Sequence, residues 1–210
     1  MHPHTPPDHP PGPDTGPGAA PELLLRRTLR RHPAGVTVVT VPGPAGFTAT
    51  SFTSLSLRPA LVSFCVATAS SAALAVTRAD RFAVHLLGAD DAGLAERFAR
   101  SGTDRFAGTP YAYRDGGLPV LGAAPVWLAA RVRARHAVGD HLLVVGEVEA
   151  GAVRRTTSPL VRHAGAYTTT RAPADVSAGP EAETGPVAGP GGPWGGAARR
   201  RSAAGPVRGC

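Results

Sequence analysis

The sequence predicts a mainly β domain, a small antiparallel barrel of six to seven strands with short helices at its ends. Three observations carry this. Strand-length runs of β-branched and apolar residues recur between Gly and Pro breaks. Strands adjacent in sequence are joined by short turns, as antiparallel pairing requires. No Gly-x-Gly-x-x-Gly links a strand to a helix, which disfavours a doubly wound dinucleotide-binding sheet.

The strands do not fill the 210 residues. Residues 1–21 are dominated by Pro, His, Gly and Asp, and residues 172–210 by Gly, Ala, Pro and Arg. Both are expected to be disordered, because they bury too little apolar surface to offset their ordering entropy. Residues 22–171 remain, enough for one core.

Pro21 to Arg31 reads as a helix, with Pro in the first turn, Glu22 at its positive end and arginines at its negative end. Leu25 and Leu29 share a face expected to lie on the domain. Val36–Val41 is a strand, Pro42-Gly43-Pro44 a turn, and Gly46–Ser51 a second strand. Ser51–Leu57 alternates as a strand until Arg58-Pro59, and Ala60–Val66 is expected to be buried on both faces. Ser70 or Ser71 then caps an Ala-rich helix over 72–76. Phe82–Leu87 is a strand, and Asp90 caps a helix over 91–100 with Leu94 and Phe98 inward. Ser101–Leu121 has loop composition. Val126–Val138 and His141–Val148 form a hairpin about Gly139-Asp140. Residues 158–161 and 167–169 supply a last edge.

Composition excludes several functions. The net charge of +7 is carried by Arg alone, in a chain without Lys. Arg131, Arg133 and Arg135 lack interleaved aromatics, so small anionic ligands or a solvated face fit better than nucleic acid. An Arg199-Arg200-Arg201 tail keeps nucleic-acid binding as a third hypothesis. Cys65 reads as a buried small hydrophobe and Cys210 ends a loose tail, so no disulfide is expected and a reducing cytoplasm is favoured. No run approaches a membrane span, and Arg26-Arg27 is not followed by a signal core. His2, His4 and His9 form no metal constellation, and no metal is expected. No nucleophile elbow or acid pair stands out.

Chemistry gathers in three patches. Gly46 to Pro59 carries three threonines and three serines, able to satisfy a flat polar ligand at a sheet edge or simply to be solvated. Thr68 to Ser71 precedes a helix and suits a phosphate. Gly139-Asp140-His141 sets an imidazole at a strand start, where it could equally be a turn residue bonded to Asp140. A phosphorylated planar cofactor would use all three patches. His85, at an alternating strand position, reads as a satisfied core or edge histidine.

The order of Gly35–Thr40, Gly46–Pro59, Ser70-Ser71, Arg81–Val84, Leu94–Phe98, Asp104–Gly108 and Gly139–His141 resembles the flavin reductase-like family of FMN-binding split barrels. The resemblance covers Leu23 to Tyr167 and implies a split antiparallel barrel of Greek-key type in a homodimer, with the flavin near the subunit boundary. It implies an NAD(P)H:flavin oxidoreductase that supplies reduced FMN, FAD or riboflavin to a separate monooxygenase, hydride passing from nicotinamide C4 to flavin N5. By match, Thr48, Ala49, Thr50 and Ser51 line the isoalloxazine, and Ser54, Ser56 and Cys65 lie near the ribityl chain. Ser70 and Ser71 approach phosphate, Arg105 and Phe106 phosphate or ring, and His141 the nicotinamide. His85 stands where many members have Asn. An FMN carrier without turnover is the competing function.

Overall fold

The computed structural model describes residues 20–170; the expectations for residues 1–19 and 171–210 lie outside them. Helix α1 (Pro21–Leu29) is followed by strands β1 (Ala34–Gly35), β2 (Thr37–Val41), β3 (Ala45–Ala49), β4 (Thr53–Leu57) and β5 (Ala60–Ala67). Helix α2 (Ala73–Arg78), β6 (Arg81–Leu86) and α3 (Ala92–Ala99) come next, α3 entered through a single 3-10 turn. The hairpin β7 (Tyr111–Arg114) and β8 (Leu118–Leu121) precedes the long pair β9 (Val126–Val138) and β10 (His141–Val153), and β11 (Leu160–His163) and β12 (Ala166–Thr169) end the fold.

Seven strands form one antiparallel sheet in the order β3-β2-β6-β9-β10-β5-β4. Its two ends are neighbours in sequence, so the sheet curls into a barrel without a ladder between β3 and β4. Phe47, Phe64 and Phe82 fill its interior with Val39, Val41 and Val144. Alternation sends Val36 and Val38 to the opposite face, under α3 with Phe98, Phe106 and Leu121. That double duty is why every residue of β2 is buried. A third cluster about Leu118, Val120 and Trp127 packs β8 on β6 and β9.

The barrel expected from the strand count is present, but other expectations change. Helix α1 forms with Pro21 in its first turn yet buries no residue; Leu25 and Leu29 do not lie on the domain. Its C-terminal end is tied down by Arg30, whose carbonyl accepts from Ala164 N–H while its guanidinium donates to Ala164 O, each at 2.9 Å. Neither Ser70 nor Ser71 is the N-cap of α2; that position is Ala72, and Ser70, two residues before it, accepts from Ala72 N–H through Oγ at 3.3 Å. Asp90 is exposed, whereas buried Asp91 accepts from Gly88 N–H at 2.8 Å. Part of the expected loop 101–121 is the β7–β8 hairpin, packed in the third cluster. The last edge is a separate sheet in which β11 sits between β1 and β12.

His85 is fully buried and structural. Its Nε2 accepts from Leu121 N–H at 3.0 Å, so Nδ1 carries the proton and donates to Val38 O at 3.0 Å. Burial is the main cause that pushes its pKa down to about 4, keeping the ring neutral.

Candidate functional site

The unclosed seam of the barrel is a cleft of about 390 Å³. Its lining comes from the end of β3 and the following turn (Phe47 to Ser51), the end of β5 (Cys65 to Ala67) with Ser70, the C-terminal end of α3 with its loop, and His141 at the start of β10. Phe47, Ala49, Val66 and Phe98 are buried and make an apolar floor, while Thr50 and Ser51 are exposed at the rim.

Side chains perform what backbone pairing does elsewhere. Ser51 Oγ accepts from Cys65 N–H at 2.9 Å and donates to Cys65 O at 3.2 Å, joining the β3–β4 connection to β5 just beyond the end of the β4–β5 ladder. Cys65 is therefore a half-buried thiol in the cleft wall rather than a core residue. Thr48 Oγ1 donates to Ala95 O at 2.6 Å and pins α3 to β3. Close approach of these elements needs Gly46: a Cβ there would lie 2.8 Å from Val39 O and 2.9 Å from the Phe98 ring.

Asp104-Arg105-Phe106 works as a unit. The Asp104 carboxylate accepts from Phe106 N–H at 3.0 Å and Ala107 N–H at 3.2 Å, an Asx turn that sends adjacent side chains opposite ways. Phe106 enters the layer under α3, edge-on to Phe98 with centroids 5.1 Å apart. Arg105 enters the cleft. It donates to Arg100 O at 2.7 Å, Gly46 O at 2.6 Å and Ser71 Oγ at 3.1 Å. A guanidinium carries five N–H groups in a fixed fork. Two stay available for an anion. Partial burial lowers the Arg105 pKa, but an arginine stays charged at any physiological pH.

At the other side His141 Nδ1 lies 2.6 Å from Asp140 Oδ1. Asp140 is held below its ordinary pKa by the His141 hydrogen bond, so it is an acceptor and Nδ1 must donate. The imidazole is fixed with Nε2 unspent. Gly139, at φ 56°, opens this two-residue turn, and Thr68 Oγ1 and N–H both bond Asp140 O to seat it beside β5. The turn-residue reading and the cleft reading of His141 thus hold together.

Of the residues singled out in the sequence, Thr48, Ala49, Thr50, Ser51, Cys65, Ser70, Arg105 and His141 line this cleft. Ser71 reaches it through Arg105. Ser54 and Ser56 do not line it; they sit on the edge strand β4, where Ser56 Oγ accepts from Arg58 N–H. Phe106 reaches it only through Phe98. Phe47, Val66, Phe98 and Ala99 were not singled out. The pairing of Gly46 with an inward Phe98 is the signal for Phe98.

An apolar floor, a hydroxyl rim and a charged fork at one end suit a flat ring carrying a phosphate. Among the described residues no group of three or more His, Cys, Asp or Glu could hold a metal ion, and no helix is long and apolar enough to cross a membrane.

Comparison with known proteins agrees with this geometry. The flavin reductase like domain family matches residues 29–171. The NADH:FMN oxidoreductase of Rhodococcus qingshengii is 45% identical over 179 residues, which cover 78% of this chain and 91% of that protein. A solved flavin reductase domain protein from Arthrobacter sp. FB24 is 36% identical with a TM-score of 0.69, covering 72% of this chain and 96% of its own. The NADH:FAD oxidoreductase SgcE6 of Streptomyces globisporus C-1027, solved with NAD and FAD fragments, is 32% identical with a TM-score of 0.68, over 75% of this chain and 96% of its own. With its split barrel, its seam cleft and a family match across nearly all the described residues, the chain belongs to the flavin reductase-like family.

Proposed function

We propose that the seam cleft holds flavin in an NAD(P)H-dependent flavin reductase, with FMN as the preferred form. The observation that carries the reading is one cleft that joins the hydroxyl-rich end of β3, the Arg105 fork and the Asp140-braced His141. The chemistry a bound flavin supplies is acceptance, at N5, of the hydride of a reduced nicotinamide. The chain's own work is to bind and orient. Thr48, Ala49, Thr50 and Ser51 bound the ring side with small side chains, hydroxyls and backbone amides. Ser70 and Arg105, with Ser71 behind it, hold the phosphate. Cys65 lies in the wall between them, and Ser54 and Ser56 have no part. His141, fixed through Nδ1, presents Nε2 on the nicotinamide side and orients that ring.

Exposed leucines support a homodimer: Leu23, Leu24, Leu25 and Leu29 on α1, and Leu55 and Leu57 on the edge strand β4. Named neighbours support supply of reduced flavin to a separate monooxygenase, among them BorF, the flavin reductase component of a bacterial two-component tryptophan halogenase. A cytoplasmic location goes with that role. The deciding experiment crosses NADH and NADPH with riboflavin, FMN and FAD under anaerobic conditions. Catalytic bleaching of FMN is expected; retention of yellow FMN without bleaching would mark a carrier instead. His141→Ala should lower kcat by about 10–100-fold while the FMN Kd stays within about threefold.

A further inference from the structure

The cleft accounts for one cationic group, Arg105. The arginines of β9 belong to a different place. Arg81, Arg131 and Arg135 line a second pocket of about 270 Å³ with Asp80 and Val132, which shares no residue with the cleft. Arg81 and Arg131 face each other directly across the β6–β9 ladder. Like charges so placed repel.

Glu149 of β10 relieves part of that repulsion. It accepts from Arg81 Nε at 2.9 Å and Arg131 Nε at 2.7 Å. Burial works to raise its pKa, but the two arginine hydrogen bonds and charges prevail and lower it, so it is a carboxylate. Both guanidiniums meet it through Nε, which leaves their terminal nitrogens unspent in these contacts. Arg135 donates to Val76 O and Ala79 O, carbonyls at the C-terminal end of α2, through Nε and Nη2. Its Nη1 is left over. The adjacent Arg133 is satisfied by Glu147. Around the pocket three guanidiniums therefore face two carboxylates, Glu149 and Asp80. The outcome is a net positive concavity with several converging N–H donors, the geometry that arginines give to phosphate recognition.

We propose that this pocket is a phosphate-class anion site, taking inorganic phosphate or the phosphoryl groups of a nucleotide, separate from the flavin cleft. An anion there lies beside the end of α2 that Arg135 holds, while the segment leading into that helix carries Ser70 to the cleft. Occupancy would thus bear on an element bordering the flavin site.

The test is calorimetric titration of the full chain at constant ionic strength with phosphate, pyrophosphate and ADP, each against a chloride control. It is run with and without saturating FMN, on the wild type, Arg131→Gln and Arg105→Gln. Arg131 is half-exposed and Glu149 keeps Arg81, so Arg131→Gln leaves the ladder intact. The site is expected to bind phosphate with or without FMN, to weaken about tenfold in Arg131→Gln, and to be unchanged in Arg105→Gln. Tighter pyrophosphate and ADP binding would identify a nucleotide source; equal or weaker binding, free phosphate. Binding lost with Arg105→Gln or with FMN would place the anion in the cleft and overturn the proposal. Heat no greater than that of chloride would overturn it too. Neither result touches the flavin reading, which the anaerobic turnover assay decides.

Discussion

The barrel treats its two sides differently. Along β9 and β10 two thirteen-residue strands share a long backbone ladder, interrupted by two bulges, and part of their outward charge is paired, Arg131 with Glu149 and Arg133 with Glu147. Across the seam there is no ladder. Ser51, Thr48 and Arg105 tie β3, β5 and α3 together with side-chain hydrogen bonds. Ladder strands spend their backbone groups on each other, so any ligand there meets side chains alone. A seam held by side chains keeps hydroxyls, amides and N–H forks open to a ligand. Backbone groups and short hydroxyls are therefore left for a flat ligand where the sheet stops pairing, and the ladder side has only its long side chains to offer.

Three substitutions and one change of pH test that contrast. Arg105→Ala should have the largest effect on ligand binding. Loss of a charged fork costs about 2–3 kcal/mol, about a hundredfold in the Kd for FMN, with little change for riboflavin. Fluorescence titration with both flavins decides it; equal losses would make Arg105 a brace of the seam and no phosphate ligand.

Acid should act on the closed side, through His85. Unfolded imidazole protonates near its ordinary 6.5, whereas the buried ring resists until about 4. The unfolded state binds more protons between those values, so stability present above pH 6.5 is lost as pH falls toward 4, by about 3 kcal/mol. Urea midpoints at pH 7 and 4.5 measure this, and His85→Gln should flatten the slope. An unchanged slope in that variant would assign the acid sensitivity elsewhere.

Gly46→Ala forces the Phe98 ring and α3 away from β3. It should destabilise the fold by about 1–3 kcal/mol and weaken FMN binding as well, because Phe98 is cleft floor. A thermal melt alongside a flavin titration tests whether the two losses travel together. The smallest effect belongs to Ser51→Ala, which leaves Cys65 N–H without its partner and costs about 1 kcal/mol. Faster hydrogen exchange at Cys65 with the β9–β10 amides unchanged would localise the loss to the seam.

Period and turn chemistry made the ladder side legible. Alternation along Val126–Val138 and a Gly at the first position of a two-residue turn set the β9–β10 hairpin, and the Gly46–Pro59 run with Asp104–Phe106 and Gly139–His141 marked most of the cleft. Less was readable where tertiary contact overrides local pattern. Tyr111–Arg114 and Leu118–Leu121 are strands despite Pro119 and the Gly116-Gly117 pair, because Leu118 and Val120 pack with residues of β6 and β9 and β7 pairs with the strand so held. Asp90 and Asp91 are equally good caps by residue type; only the chain's path gives Asp91 the Gly88 amide. Helix α1 has an apolar stripe, but nothing among the described residues buries it.

The Asx turn at Asp104 binds two kinds of change together. Because it drives Phe106 into the layer beneath α3 and Arg105 into the cleft, any variant that repacks the former swings the latter. Mutations at Phe98, Phe106 or Tyr111 would be recorded in a screen as altered substrate preference, although none of them is chosen for contact with a phosphate. In this scaffold, sequence drift in the core is also drift in specificity.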